Sequence, residues 1–250
     1  ERRTKVSASL PVFKKQGESH FGYRFREAGQ FSVKVLSNYV GELSLPKLFD
    51  SPHRLRPVWK SIESTARLGL ILRASPSPYV LHIIRHPCGF VSSVLRGERK
   101  NKFEGGRDSE DYGLFTMLCR LKQAERHGLD VEKFKGMRPA ARLAWRWRLV
   151  NEKAMEECQA FDTYKTINYD GVCANPVAAC RDMYQFTELA LNDQTDAFLR
   201  LSTTNNNEAY YSVFKDPLIS ANKWQSELSN EDIDAVLGVV SDSMAFALFR

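Results

Sequence analysis

Residues 85–93, RHPCGFVSS, place an arginine directly after an apolar run and a serine eight residues later. In an open parallel sheet, ligands sit at the carboxyl ends of strands, beside helix N-termini. There, Arg85 could offer forked N–H donors to a phosphate, and the Ser93 hydroxyl could bind the same anion. In the alternative interpretation, Arg85 pairs with a carboxylate and the serines cap or back-bond the helix.

The elements that would position this site are a helix, a strand and a second helix. Residues 61–74 carry apolar side chains at helical spacing, and residues 79–84 form an apolar run of strand length. Pro87 suits the start of the next helix, which Gly97 can end. This order predicts an α/β fold with a doubly wound parallel sheet.

Further elements follow this unit along the chain. A charged excursion at 98–136 should contain a helix near 111–127, and residues 163–170 read as a short strand. Residues 139–159 predict an amphipathic helix whose arginines lie largely away from its apolar face, which holds Leu143, Trp147, Val150 and Ala154. Two more helices are predicted, one starting near Pro176 and one capped by Ser229.

The arrangement resembles the sulfotransferases that use 3′-phosphoadenosine 5′-phosphosulfate (PAPS). In that family a strand-end arginine and a serine eight positions later bind the 3′-phosphate, as Arg85 and Ser93 would here. A lysine lies about two dozen residues before that arginine, and Lys60 takes its place in VWKSIES. Its ammonium would neutralise charge on the bridging oxygen as the sulfuryl group leaves. The alternative for Lys60 is a solvated surface charge.

Two downstream segments extend the resemblance. INYDGVCANP resembles the family's strand-end tyrosine and acidic residue, so that Tyr169 would contact the adenine region; otherwise it is a core tyrosine. YYSVFKDPLISANKW resembles the late loop of the protein-tyrosine and bacterial branch. There Lys215 would reach the phosphates and Asn222 would lie near the leaving group. Asp216 separates the lysine from the proline and departs from the family pattern.

The resemblance implies a single domain over residues 1–250 with a P-loop-NTPase-like, doubly wound parallel sheet flanked by helices. It implies PAPS as donor, adenosine 3′,5′-bisphosphate as product, and no metal ion. The acceptor would be a hydroxyl or amine of a small molecule, carbohydrate or peptide, which the sequence does not identify.

One part of the family pattern is missing from the sequence. The sequence contains neither a Ser-Gly-Thr-Thr-like turn for the 5′-phosphosulfate nor a GxxxxGK[ST] loop. The N-terminal strand and loop are therefore expected to be absent, by truncation or by divergence. The first residue, Glu1, and residues 1–30, which read as a loop or a remnant, favour truncation. The general base stays open among Glu18, His20, Glu27, Glu42 and His53.

Composition sets the remaining bounds. The net charge of +6 and the pI near 9.0 suggest an anionic ligand or surface. Five cysteines without a CxxC pair favour a reducing compartment, so a cytoplasmic protein is expected. No apolar run is long enough to span a membrane.

Two other functions remain open. One is a non-catalytic module that keeps an adenosine-3′,5′-bisphosphate pocket, favoured by the missing loop. The other is a basic nucleic-acid or polyanion binder that uses the arginines of residues 138–153. Nucleic acid is the less favoured partner, because Trp145 and Trp147 look like core anchors.

Overall fold

The computed structural model describes residues 3–6, 19–40, 43–46, 58–100, 106–204 and 216–250. Its contacts divide the chain into two units, Glu1–Lys60 and Ser61–Arg250. The prediction of a single domain stays a prediction.

The first unit contains an antiparallel strand pair and one helix. Strand β1 (Arg3–Val6) pairs with β2 (Leu43–Pro46), and helix α1 (His20–Val40) lies between them in sequence. Residues 1–30 were predicted to be a loop or the remnant of an earlier element, and a loop is wrong for Arg3–Val6 and from His20 onward. Phe21, Phe25 and Leu36 recur at helical spacing along α1, a pattern that the sequence analysis missed.

The second unit is mostly helical around two parallel strands. Strand β3 (Val80–Ile84) pairs with β4 (Tyr164–Asn168), with Val80 opposite Tyr164 and Ile84 opposite Asn168. A parallel pair needs a crossover connection, which the helices between the strands supply. Among the described residues this sheet has two strands, so the structure shows an α/β fold but not the larger doubly wound sheet.

Helices surround the strand pair. Between a turn at Thr65–Arg67 and the C-terminal turn Phe246–Phe249, the described helices are α2 (Leu68–Ala74), α3 (Pro87–Arg99), α4 (Tyr112–Leu118), α5 (Lys122–Arg126), α6 (Val131–Gly136), α7 (Pro139–Cys158), α8 (Tyr169–Ala174), α9 (Pro176–Phe186), α10 (Asp193–Thr204), α11 (Pro217–Asn222), α12 (Trp224–Glu227) and α13 (Asn230–Val240).

Several predicted boundaries are confirmed and others are wrong. Helix α3 begins at Pro87, and Ser229 caps α13 by accepting a hydrogen bond from the Asp232 amide. Gly97 does not end α3, which continues to Arg99. The helix predicted near 111–127 is two short helices, α4 and α5.

The main core lies between β3, α3, α7 and α13. Its fully buried side chains include Ile84, Val91, Leu143 and Val236. The burial of these apolar side chains away from water is the main force that holds α3 and α7 against β3. The core thus fixes the end of β3 and the start of α3, where the predicted anion site lies.

Candidate functional site

The turn from β3 into α3 takes only two residues, Arg85 and His86. His86 is the N-cap of α3, and its Nδ1 accepts a hydrogen bond from the Cys88 amide at 3.2 Å. Pro87 occupies the first helical turn, where a backbone N–H would have no partner within the helix, so its absence from proline costs nothing. Arg85 therefore stands between the carboxyl end of a strand and the positive end of a 13-residue helix.

Two side chains hold the backbone of this turn. The Trp147 indole donates to the Arg85 carbonyl at 3.0 Å, and the His86 amide donates to the Asp170 carboxylate at 3.0 Å. Because these groups belong to α7 and α8, the turn is fixed from two sides. Neither Trp147 nor Asp170 was predicted from the sequence to position this turn.

The Arg85 guanidinium is only partly satisfied by its neighbours. It lies over the Tyr169 ring, 5.5 Å from the centroid, and its Nη2 donates to the Ser220 carbonyl at 2.9 Å. Its Nε is buried and makes no hydrogen bond to any described residue. Since an unsatisfied buried donor costs roughly 1–3 kcal/mol, an acceptor at this position would be favoured.

Gly89 allows the guanidinium to lie against α3. A Cβ built on Gly89 would come within 2.9 Å of the Arg85 Nε, so a larger residue would displace that side chain. Ser93 follows Gly89 by one helical turn on the same face of α3. Its side chain is half-buried and makes no hydrogen bond within the described part of the chain. The structure thus brings Arg85 and Ser93 to one face of α3.

Tyr169 lies beneath the arginine as the first residue of α8. Burial raises the pKa of the Tyr169 phenol to about 12, so the ring stays neutral at physiological pH. The Asn168 side chain caps the same helix through the Gly171 amide at 3.1 Å. A neutral aromatic ring beside a guanidinium offers a surface for a cation–π contact or for stacking a base.

His86 contributes shape to the site. Its ring stacks on Trp224 with centroids 4.8 Å apart, and Phe246 and Phe249 meet it edge-on. Burial lowers the pKa of the imidazole; the Asp170 carboxylate opposes this effect and the Arg85 cation adds to it. His86 is therefore neutral at pH 7 and caps the helix.

The other predicted ligands are Asn222, Lys215 and Lys60. Asn222 ends α11, is exposed, and donates to the Leu218 carbonyl at 3.0 Å. The backbone carbonyl of Ser220, on the same helix, is what reaches Arg85. Lys215 lies outside the described residues, and Lys60 is an exposed residue that ends the first unit.

The predicted bases give no assignment. His20 is exposed at the start of α1, whereas Glu18, Glu42 and His53 lie outside the described residues.

No group of three metal-ligating side chains occurs in the described ranges. Within those ranges, no helix has the length and apolar character that crossing a bilayer requires. All five cysteines are free thiols.

The arginines of α7 are structural, which removes the support for a polyanion interface there. Arg142 and Arg148 are buried, which their predicted position largely away from the apolar face does not indicate. Arg142 donates to the carbonyls of Ser109 and Met137, both at 2.7 Å. Arg146 pairs with Asp108 at 2.8 Å. Guanidinium groups occupied in this way are not free to contact phosphates.

No protein-family model and no curated protein matches the chain. One solved structure shows a distant likeness, the "Sulfotransferase Domain from the Curacin Biosynthetic Pathway". It is 11% identical, with a TM-score of 0.43, over 88% of this chain and 74% of that chain. A likeness this distant does not identify a family.

Proposed function

We propose that the chain carries the nucleotide site of a PAPS-dependent sulfotransferase, on a P-loop-NTPase-like, doubly wound fold. The observation that supports this proposal is the buried Nε of Arg85, which makes no hydrogen bond to any residue that the structure describes. It lies against Gly89 in the first turn of α3, one helical turn before Ser93. A phosphate oxygen at this place would accept from Arg85 and Ser93 together.

In this proposal Arg85 and Ser93 bind the 3′-phosphate, and Tyr169 contacts the adenine region. Lys215 reaches the phosphates and Asn222 lies near the leaving group. These roles come from the resemblance in sequence.

The proposed reaction is an in-line displacement at sulfur. An oxygen or nitrogen of the acceptor forms a bond to sulfur while the bond between sulfur and the bridging phosphate oxygen breaks. The acceptor's proton passes to a base that is not yet assigned, and adenosine 3′,5′-bisphosphate leaves. Lys60 would stabilise the negative charge that grows on the bridging oxygen. The acceptor would be a small molecule, a carbohydrate or a peptide.

Replacing Arg85 with alanine should weaken the binding of adenosine 3′,5′-bisphosphate more than tenfold, because the phosphate loses its strand-end cation. Calorimetric titration of the chain measures this affinity, with 5′-AMP as the ligand that lacks the 3′-phosphate. Arg126→Ala is the matched control, because it removes the same charge from an exposed pair with Glu156. Equal affinities of Arg85→Ala and the wild-type chain would contradict the assignment.

A non-catalytic module that binds the same nucleotide is the second candidate, favoured by the missing phosphosulfate turn. Transfer of radioactive sulfate from labelled PAPS to a panel of phenols, sugars and tyrosine peptides would exclude it. Binding of the nucleotide without transfer to any acceptor would favour it.

A further inference from the structure

A short segment, residues 216–228, contacts α3 and the turn that precedes it and is called the strap. The Ser220 carbonyl accepts from Arg85 at 2.9 Å. The Trp224 ring stacks on His86, nearly parallel, with an interplanar angle of 6°. The strap therefore contacts the predicted anion site itself.

The third attachment of the strap is a carboxylate. One oxygen of Glu227 accepts from both the Ser92 hydroxyl and the Arg96 guanidinium. Ser92 is buried, and the Arg96 and Glu227 side chains are 22% and 23% exposed. Arg96 lies three residues after Ser93, so the two are neighbours on α3. The chain thus places its own anion next to the predicted phosphate site.

We propose that Arg96 is a further ligand for the anion that Arg85 and Ser93 hold, and that Glu227 occupies Arg96 while that anion is absent. The inference rests on the proposed function, because it concerns the same site. Glu227 cancels the charge of Arg96, and its carboxylate repels a phosphate on the same face. The strap and the phosphate therefore compete for α3.

Binding of a phosphate-type anion exchanges the partners of Arg96. The guanidinium leaves Glu227 and turns toward the anion beside Ser93. The strap then loses its carboxylate attachment, and the Ser220 carbonyl gives way at Arg85. The strap is thus an autoinhibitory contact, which opens as the ligand binds; a lid would instead close over it.

The direction in which one substitution changes the affinity for phosphate tests this competition. Glu227→Gln keeps the shape of the side chain and an acceptor for Ser92 but removes the charge that holds Arg96. We expect about tenfold tighter binding of inorganic phosphate and of adenosine 3′,5′-bisphosphate, measured by calorimetry at fixed ionic strength. Unchanged or weaker binding of both probes by Glu227→Gln would overturn the proposal.

Two further variants make the comparison specific. Glu156→Gln changes the net charge equally at the Arg126 ion pair, and it should leave both affinities unchanged. Arg96→Gln, added to Glu227→Gln, should abolish the gain. A gain that survives the loss of Arg96 would also overturn the proposal.

Hydrogen exchange on the wild-type chain gives a readout that needs no variant. Saturating phosphate should speed exchange of the α12 amides as the carboxylate attachment breaks, whereas slower exchange would contradict the competition. The nucleotide proposal fails separately if adenosine 3′,5′-bisphosphate binds no better than inorganic phosphate. In that case the phosphate affinity of Glu227→Gln, compared with that of the wild-type chain, still decides the role of Glu227. If neither probe binds wild type or Glu227→Gln, this inference is wrong as well.

Discussion

Replacing Arg148 with methionine is expected to lower the free energy of unfolding by about 3–5 kcal/mol, because it leaves a buried carboxylate without its counter-ion. Arg148 is buried on α7 and lies over the Trp145 ring, 5.3 Å from its centroid. Its Nε donates to Glu152 at 3.0 Å, and its Nη1 donates to the Val239 carbonyl at 2.6 Å. One side chain therefore connects α7 with α13.

The remaining partner explains why the loss comes mainly from Glu152. Asp242 also accepts from Arg148 at 2.6 Å, and this hydrogen bond lowers the pKa of its carboxyl. The Asp242 side chain is 72% exposed, so water can solvate it after the substitution. The side chain of Glu152 is only 8% exposed, so water cannot solvate its carboxylate in the same way.

Urea denaturation at pH 7 measures the effect. Adding Glu152→Leu to Arg148→Met should recover most of the lost stability, because the unpaired charge is then gone. Arg126→Met removes an exposed partner of Glu156 and should shift the midpoint far less, since exposed ion pairs contribute little. An Arg148→Met variant that loses no more than Arg126→Met would contradict this account.

The contacts of Arg148 also show which features of the fold the sequence does not predict. The amphipathic pattern identified α7, and on its predicted apolar face Leu143, Trp147 and Ala154 are buried while Val150 is half-buried. The same pattern placed the arginines largely away from the apolar face and gave no sign that two of them are buried, because periodicity records polarity and not the partner of a polar group. The Val239 carbonyl that receives Arg148 lies 91 residues away in sequence. Only the folded chain brings such an acceptor to the guanidinium.

The candidate site divides in the same way. Strand end, helix start and serine spacing predicted where Arg85 and Ser93 lie, because these are local features of adjacent elements. The Ser220 carbonyl could not be found by residue type, since every residue carries a backbone carbonyl. Glu227 was missed for a related reason: an acidic residue on a short helix usually faces water, and nothing local indicates Ser92 and Arg96 opposite it.

Lowering the pH should destabilise the second unit by about 3 kcal/mol through His82 alone. Burial lowers the pKa of His82 from 6.5 to about 4, and its hydrogen bond to Asn151 only partly opposes this effect. The gap between these two pKa values corresponds to about 3 kcal/mol. Between them the unfolded chain binds a proton that the folded chain excludes, so stability falls as the pH drops from 6.5 to 4.

His82 is neutral because the network around it is complete. Asn151 donates its amide to the Trp147 carbonyl at 2.7 Å, so its oxygen faces His82 Nε2 at 2.9 Å and requires a proton there. His82 Nδ1 then accepts from the Tyr164 hydroxyl at 2.7 Å. Protonating Nδ1 removes that acceptor and adds a charge inside the core.

Urea denaturation at pH 7, 6, 5 and 4 tests this assignment. His82→Gln should cost stability at pH 7 but give a flatter pH dependence than the wild-type chain. Ile84→Val on the same strand is the control, because trimming a buried methyl lowers stability by about 0.5–1.5 kcal/mol at every pH. A His82→Gln curve as steep as the wild-type curve would exclude His82 as the titrating group.

Protonation of His82 should also affect the candidate site, because Trp147 contacts both the His82 network and Arg85. Trp147, whose carbonyl holds Asn151 beside His82, is also the residue whose indole holds the Arg85 carbonyl. His82 and Arg85 are three residues apart on one strand and its end. Protonation of His82 should therefore weaken phosphate binding below pH 5, where the phosphate itself stays a monoanion. His82→Gln should bind phosphate with a flatter pH profile, which ties the buried network to the position of the arginine.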